Sequence, residues 1–171
     1  MSGSLALRRY RPSDHERVLE LHEAAMRDVG AYVDGVPEPD LDDIEGAYFD
    51  SGGEFLVGTV DGDIVAMGAF RPAEGYISEF LDGLSNPAEL KRMRVDPTHQ
   101  RRGYGRRVYE ELEQRARNRG FDEFVLDTMP VQTAARAFYE SAGFEQVRRE
   151  RLEHDGDTFT LLFYRRPLGE E

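Results

Sequence analysis

The sequence predicts a single mixed α/β domain, and three observations predict it. The chain has 171 residues, 39% of them hydrophobic, which is enough for one ordinary core and short for two. Pairs of short apolar runs joined through Asp-Gly turns occur twice, the pattern of antiparallel hairpins. Between them stands a helical stripe, Gly105, Val108, Tyr109, Leu112 and Ala116, bracketed by strand-like runs. No repeat, low-complexity tract or linker interrupts the chain, so residues 1–171 read as one unit.

The elements follow in order. Leu5 to Tyr10 alternates and reads as a first strand. Pro12-Ser13-Asp14 opens a helix whose apolar stripe is Val18, Leu19, Leu21, His22, Ala25 and Met26, and Gly30 ends it. An acidic loop with Pro37 and Pro39 leads into a short helix from about Leu41 to Phe49, and Ser51-Gly52-Gly53 turns the chain. Phe55 to Val60 and Ile64 to Phe70 pair across Asp61-Gly62-Asp63. Residues 72–87, with Pro72, Gly75, Gly83 and Pro87, read as an irregular excursion with room for one helical turn. Ala88 to Val95 is a strand stopped by Asp96-Pro97. The stripe-bearing helix fills 104–119 and stops at Gly120. Phe124-Val125-Leu126 is a buried strand, and Thr133 to Ser141 a second helix closed by Gly143. Glu145 to Glu153 and Thr158 to Arg165 close the domain as a hairpin about Asp155-Gly156.

Composition narrows the function. There is no cysteine, which excludes disulfides, thiolate metal sites and a cysteine nucleophile. A net charge of -12 argues against nucleic acid or an anionic membrane as partner, since both need a basic surface. Lys91 is the sole lysine among 22 basic residues; with the acidic excess this points to a halophilic protein working in a salt-rich cytoplasm. The N-terminal residues lack the form of a signal peptide, and no apolar run is long enough to span a membrane. His15, His22, His99 and His154 lack metal-ligand spacing, so no metal is expected. Asp40, Asp42, Asp43 and Glu45 read as solvated surface because the calcium-loop pattern is missing. Tyr32, Tyr48, Phe49 and the run Tyr76 to Phe80 read first as core aromatics.

The chemistry concentrates where the strand ending at Val95 meets the helix at 104. The turn reads Gln100-Arg101-Arg102-Gly103-Tyr104-Gly105-Arg106. A helix N-terminus leaves backbone N–H groups unpaired and attracts phosphate, and glycines let a ligand approach the backbone. Arg101, Arg102, Arg106 and Arg107 gather positive charge in an acidic chain, so a polyanionic small ligand is expected. The turn lacks GxxxxGK[ST] and GxGxxG, which excludes the P-loop and the dinucleotide fingerprint.

Q-R-R-G-Y-G resembles the (Gln/Arg)-x-x-Gly-x-(Gly/Ala) signature of the GNAT superfamily of acetyl-CoA-dependent N-acetyltransferases. Ala134 to Phe144, A-A-R-A-F-Y-E-S-A-G-F, resembles the second hallmark of that superfamily, and the resemblance covers about residues 4–166. It implies a GNAT (acyl-CoA N-acyltransferase) fold, a mixed, mostly antiparallel sheet of about seven strands flanked by about four helices and splayed between strands 4 and 5. It further implies that backbone N–H groups of Arg101, Arg102, Gly103, Tyr104, Gly105 and Arg106, with Gln100 before them, cradle the pyrophosphate of coenzyme A. Met93, Arg94 and Val95 would pair through their backbone with its pantetheine arm. Tyr139 aligns with the tyrosine that lies near the thioester sulfur and protonates the departing thiolate. Gln132, seven residues before it, stands where many members carry asparagine, one methylene shorter.

An amine attacks a thioester only when neutral, so a general base helps. Glu89, at the start of the strand, resembles in position the base glutamate of the histone-acetylating branch; the alternative is a structural pair with Lys91, its i+2 neighbour. The resemblance implies direct transfer of acetyl from acetyl-CoA to a primary amine on a small molecule or peptide, in a chain that can form a homodimer. Two rivals stand beside it, an acyl-CoA-binding module without turnover and a transferase for another acyl group.

Overall fold

The computed structural model describes residues 4–154 and 156–169. The strands are β1 (Ala6–Arg9), β2 (Glu54–Val60), β3 (Asp63–Pro72), β4 (Pro87–Val95), β5 (Glu123–Thr128), β6 (Glu145–His154) and β7 (Asp157–Pro167). The helices are α1 (His15–Asp28), α2 (Pro39–Asp42), α3 (Tyr76–Phe80), α4 (Tyr104–Asn118) and α5 (Thr133–Ser141). One sheet holds the strands in the order β1-β2-β3-β4-β5-β7-β6. Neighbours run antiparallel except β4 and β5, which are parallel because α4 carries the chain back between them. This is the mixed, mostly antiparallel sheet the motifs imply.

Apolar alternation along the strands sends side chains to two opposite layers. On one face Leu56, Ala66, Phe70, Leu90, Phe124 and Leu126 pack under Val108, Tyr109, Leu112 and Ala116 of α4 and Tyr139 of α5. The predicted stripe of α4 is therefore the buried one. On the other face Phe55, Val57, Ile64, Met67 and Ala69 pack under Val18 and Leu21 of α1 and Leu41, Ile44 and Tyr48 of the segment that follows. A third cluster, Ile77 and Leu81 with Val125, Leu161 and Phe163, seats α3 on the β5–β7 part of the sheet. The excursion at 72–87 thus holds the single helical turn its sequence had room for.

Two stretches differ from expectation. The helix predicted over 41–49 is broken: α2 ends at Asp42, Asp43 leaves helical geometry at φ -142° and ψ 77°, and a π-type turn covers Glu45–Phe49. The Asp43 carboxylate accepts a hydrogen bond from the Gly46 N–H, a side-chain bond that competes with helix continuation. Asp40, expected on the solvated surface, is buried. Arg92 donates to both of its oxygens at 2.9 and 2.7 Å and the Tyr48 hydroxyl donates at 2.6 Å. Asp155, half of the expected closing turn, and Met1 to Gly3, part of the N-terminal stretch, lie outside the described residues.

Candidate active site

Parallel pairing of β4 with β5 is brief. Only Pro87, Ala88 and Glu89 face partners, at Glu123, Phe124 and Val125. From Leu90 onward β4 stays paired with β3 while β5 continues against β7, so the two strands part. This is the implied splay. It opens a cleft of about 220 Å³ through the sheet, lined from one layer by Tyr139 and from the other by Met26 of α1, with β4 and β5 as its walls.

A β-bulge decides what β4 shows that cleft. Met67 faces Arg94 and Ala69 faces Lys91, so Arg92 and Met93 together oppose Gly68. Arg92 takes the left-handed conformation, φ 60°, as a bulge residue can. The extra residue shifts the alternation by one. Leu90, Met93 and Val95 turn toward α4, while Glu89, Lys91, Arg92 and Arg94 all turn to the opposite layer and line the cleft. Gly68 permits this. A Cβ there would lie 2.5 Å from Met93 Sδ and 2.9 Å from both Leu112 Cδ1 and Val108 Cγ1.

Each predicted residue can now be placed. Glu89 is 3% exposed, with Lys91 Nζ 3.6 Å from Oε2 and Arg71 Nε 3.9 Å from Oε1, so the pairing with Lys91 that stood as the alternative is present, and Glu89 also lines the cleft. Burial pushes its carboxyl above the ordinary value, with Lys91 opposing. The Tyr139 ring is 7% exposed among Phe138, Phe144 and Tyr164. Tyr139 lines the cleft, and its hydroxyl has no hydrogen-bond partner among the described residues. Burial pushes that hydroxyl up to about 12, against the charge of Arg94. Met93 and Val95 give their side chains to the core, which leaves only their backbone at the splay.

The turn is shaped by two left-handed residues, Arg101 at φ 65° and Gly103 at φ 79°. Gly103 is the N-cap of α4 and no side chain caps it, so the amides of the first turn remain available. Arg101, Arg102 and Arg106 are exposed around it. Arg106 also donates to Ser141 Oγ at 3.1 Å, Tyr104 stacks on His99, and Gln100 Nε2 donates to the Val95 carbonyl at 3.3 Å, bracing the loop. An uncapped helix start ringed by arginine suits a pyrophosphate. Gln132 lines the cleft, but its Oε1 accepts from Thr128 Oγ1 at 2.9 Å and from the Met129 N–H at 3.1 Å. The longer side chain reaches the β5–α5 loop and spends its oxygen there.

Sequence reasoning missed the polar layer behind Arg94. The Arg94 Nε donates to His22 Nδ1 at 3.3 Å, and His22 Nε2 lies 3.1 Å from Glu38 Oε1. Burial, then the charges of Arg94 and Arg92, pull His22 down to about 4, so it is neutral. Its position on the buried face of α1 was the available signal: a histidine in an apolar stripe needs a polar partner. Among the described residues no group of His, Asp and Glu is arranged to hold a metal.

A family described as the Acetyltransferase (GNAT) family matches residues 16–144. Probable N-acetyltransferase camello of Xenopus tropicalis is 31% identical over 130 residues, 74% of this chain and 56% of its own length. The uncharacterized N-acetyltransferase YjgM of Escherichia coli is 28% identical over 112 residues, 66% of this chain and 63% of its own. The chain thus spans little more than half the length of these relatives. Among solved structures, a GNAT-family acetyltransferase of Staphylococcus aureus superposes with a TM-score of 0.80 at 23% identity, covering 97% of this chain and all of its own. The yncA protein of Salmonella typhimurium, a putative acetyltransferase solved with acetyl-CoA, gives 0.76 at 22% identity, covering 98% and 95%. With its splayed sheet, its arginine-ringed helix start and a family match over three quarters of its length, the chain belongs to the GNAT acetyltransferase family.

Proposed function

We propose that this protein transfers an acetyl group from acetyl-CoA to a primary amine by direct attack, with Glu89 as base and Tyr139 as acid. One observation carries the reading: Tyr139, whose hydroxyl has no hydrogen-bond partner among the described residues, and the buried Glu89 line the same cleft, at the point where β4 and β5 part. Acetyl-CoA supplies an acyl group activated as a thioester. The residues of the chain do the rest. The amides of 101–106 hold the pyrophosphate, and the β4 backbone beyond Glu89, unpaired on its β5 side, holds the arm. That same backbone polarises the carbonyl. Glu89 accepts the proton the amine loses on attack, and its raised carboxyl is a better base than an ordinary glutamate. The Tyr139 hydroxyl, pushed up to about 12, keeps its proton at neutral pH and can give it to the departing sulfur. Zero cysteine leaves no acyl-cysteine route.

Thiol release from acetyl-CoA across a panel of amines tests the reading, with propionyl- and succinyl-CoA as comparison donors. Turnover that needs an amine and falls at least about tenfold in Tyr139→Phe is expected. Binding of coenzyme A without thiol release would replace the transferase by a binding module. Assays in molar KCl test the salt-rich cytoplasmic setting suggested by the -12 charge, since activity there should exceed that at low salt.

A further inference from the structure

The charges of the cleft do not follow those of the chain. In a protein of net charge -12, three cations line it, Lys91, Arg92 and Arg94, against Glu89 and Asp127. Two of the three are matched by carboxylates. Arg92 is held by Asp40 through two hydrogen bonds, with Glu38 3.9 Å away, and Lys91 sits 3.6 Å from Glu89. Arg94 is different. Its guanidinium donates to neutral acceptors, His22 Nδ1 at 3.3 Å and the Met93 carbonyl at 2.8 Å, and no carboxylate lies within ion-pair distance among the described residues.

Holding a guanidinium there works against the fold. Burial and then the neighbouring charge of Arg92 pull Arg94 down to about 10, an uncommonly weak hold on its proton for an arginine. The side chain is nonetheless fixed in place. His22 accepts from Nε and is itself braced by Glu38, so the fork is aimed while its counter-charge stays one residue away. A half-buried, oriented cation with no carboxylate at ion-pair distance among the described residues is arranged for an anion that arrives from outside.

We infer that Arg94 is the specificity-determining residue of an anion subsite, and that the amine acceptor carries a carboxylate, as an amino acid does. The inference rests on the acetyl-transfer reading and deepens it. A carboxylate seated on Arg94 would bring the attached amine into the cleft that Glu89 and Tyr139 line. The anionic parts of coenzyme A do not compete for this place, since the arginine-ringed helix start is where its pyrophosphate is proposed to sit.

The test compares acids with their decarboxylated amines, phenylalanine with phenethylamine and leucine with 3-methylbutylamine, by kcat/KM in the wild type, Arg94→Gln and Arg94→Lys. Differences in amine basicity cancel when each pair's ratio is compared between proteins. One charge-assisted hydrogen bond corresponds to a change of about ten- to a hundredfold, so Arg94→Gln should cut the preference for the acid by that factor, mainly through KM, and Arg94→Lys should restore part of it. Thermal shifts of the wild type with N-acetylphenylalanine and N-acetylphenethylamine give a readout independent of any variant's folding, and only the acid should stabilise strongly. No preference in the wild type, or an equal fall for both members of each pair in Arg94→Gln, overturns the subsite. Absence of thiol release with every amine overturns the transferase reading and takes this inference with it.

Discussion

Gly68 is the position at which one methyl group tests both the packing and the site. Its Cβ, if present, would stand 2.5 Å from Met93 Sδ and 2.9 Å from Leu112 Cδ1 and Val108 Cγ1. Ordinary carbon contacts lie near 3.5–4.0 Å, so the sulfur must retreat by about 1 Å and the two methyls by about 0.6 Å or more. Val108 and Leu112 are wholly buried on α4 and have nowhere to go without moving the helix. Overpacking of this kind costs about 1–3 kcal/mol, and two blocked neighbours put Gly68→Ala at the upper end. Met93 is the one neighbour that can be shortened. Its side chain is only partly buried, so Met93→Ala alone costs about 2 kcal/mol or less, below the range for a fully buried methionine. Urea unfolding of the two single variants and the double variant gives the cycle. The double variant should be at least about 1 kcal/mol more stable than the sum of the single losses. Because Gly68 faces the bulge that turns Arg92 and Arg94 into the cleft, Gly68→Ala should also lower kcat/KM under conditions where the fold is intact. A wild-type midpoint for Gly68→Ala, or losses that simply add, would refute the argument that this glycine makes room for the bulge.

Three further perturbations probe other parts of the chain. Glu89→Gln should remove the low-pH limb of the rate profile: a base must be deprotonated, burial raises this carboxyl, and so wild-type activity falls as pH drops through a value above that of an ordinary glutamate. The limb from the acceptor amine stays, and with Tyr139 near 12 no falling limb should open below about pH 10. Gly103→Val puts a β-branched residue at φ 79°, which costs about 1–2 kcal/mol in the left-handed region, and fills the approach to the helix start. Calorimetry should find coenzyme A binding lost, and retained affinity would discard the cradle. His22 is neutral when folded, with its value lowered from 6.5 to about 4, so the unfolded chain binds more protons between those values. Stability from this group is therefore present above about pH 6.5 and lost as pH falls toward 4, a swing of order 3 kcal/mol at most, which should be absent from the pH–stability curve of His22→Gln.

The fold was legible because its signals are local. The i, i+3, i+4 stripe of α4, the Asp-Gly turn of the β2–β3 hairpin and Gly120 and Gly143 after their helices each follow from a few adjacent residues. The motif residues were legible for the same reason: Gly103 at an uncapped helix start and Tyr139 on the inner face of α5 lie where their spacing puts them. The break at Asp43 was not, because one side chain's bond to the Gly46 N–H competes with a helix that propensity favours.

The charged layer of the cleft was illegible for a deeper reason. Strict alternation assigns Arg92 and Leu90 to one face, and a reader of the sequence would send Arg92 toward α4. The bulge reverses that assignment, and its cause lies on another strand, in the missing side chain of Gly68, twenty-four residues earlier. Asp40 then becomes a buried partner of Arg92 instead of a surface charge, and Arg94 falls to His22, a residue of α1. None of these pairings is local: each joins β4 to a segment fifty or more residues away. Net charge hides them too, since -12 averages over a surface and says nothing of a cleft where cations outnumber carboxylates. The residues proposed to hold the cofactor lie within one short run, Gln100 to Arg106, and so can be read from neighbouring positions. The residues proposed to meet the acceptor depend instead on the packing behind one strand, where a single bulge changes which charges line the cleft.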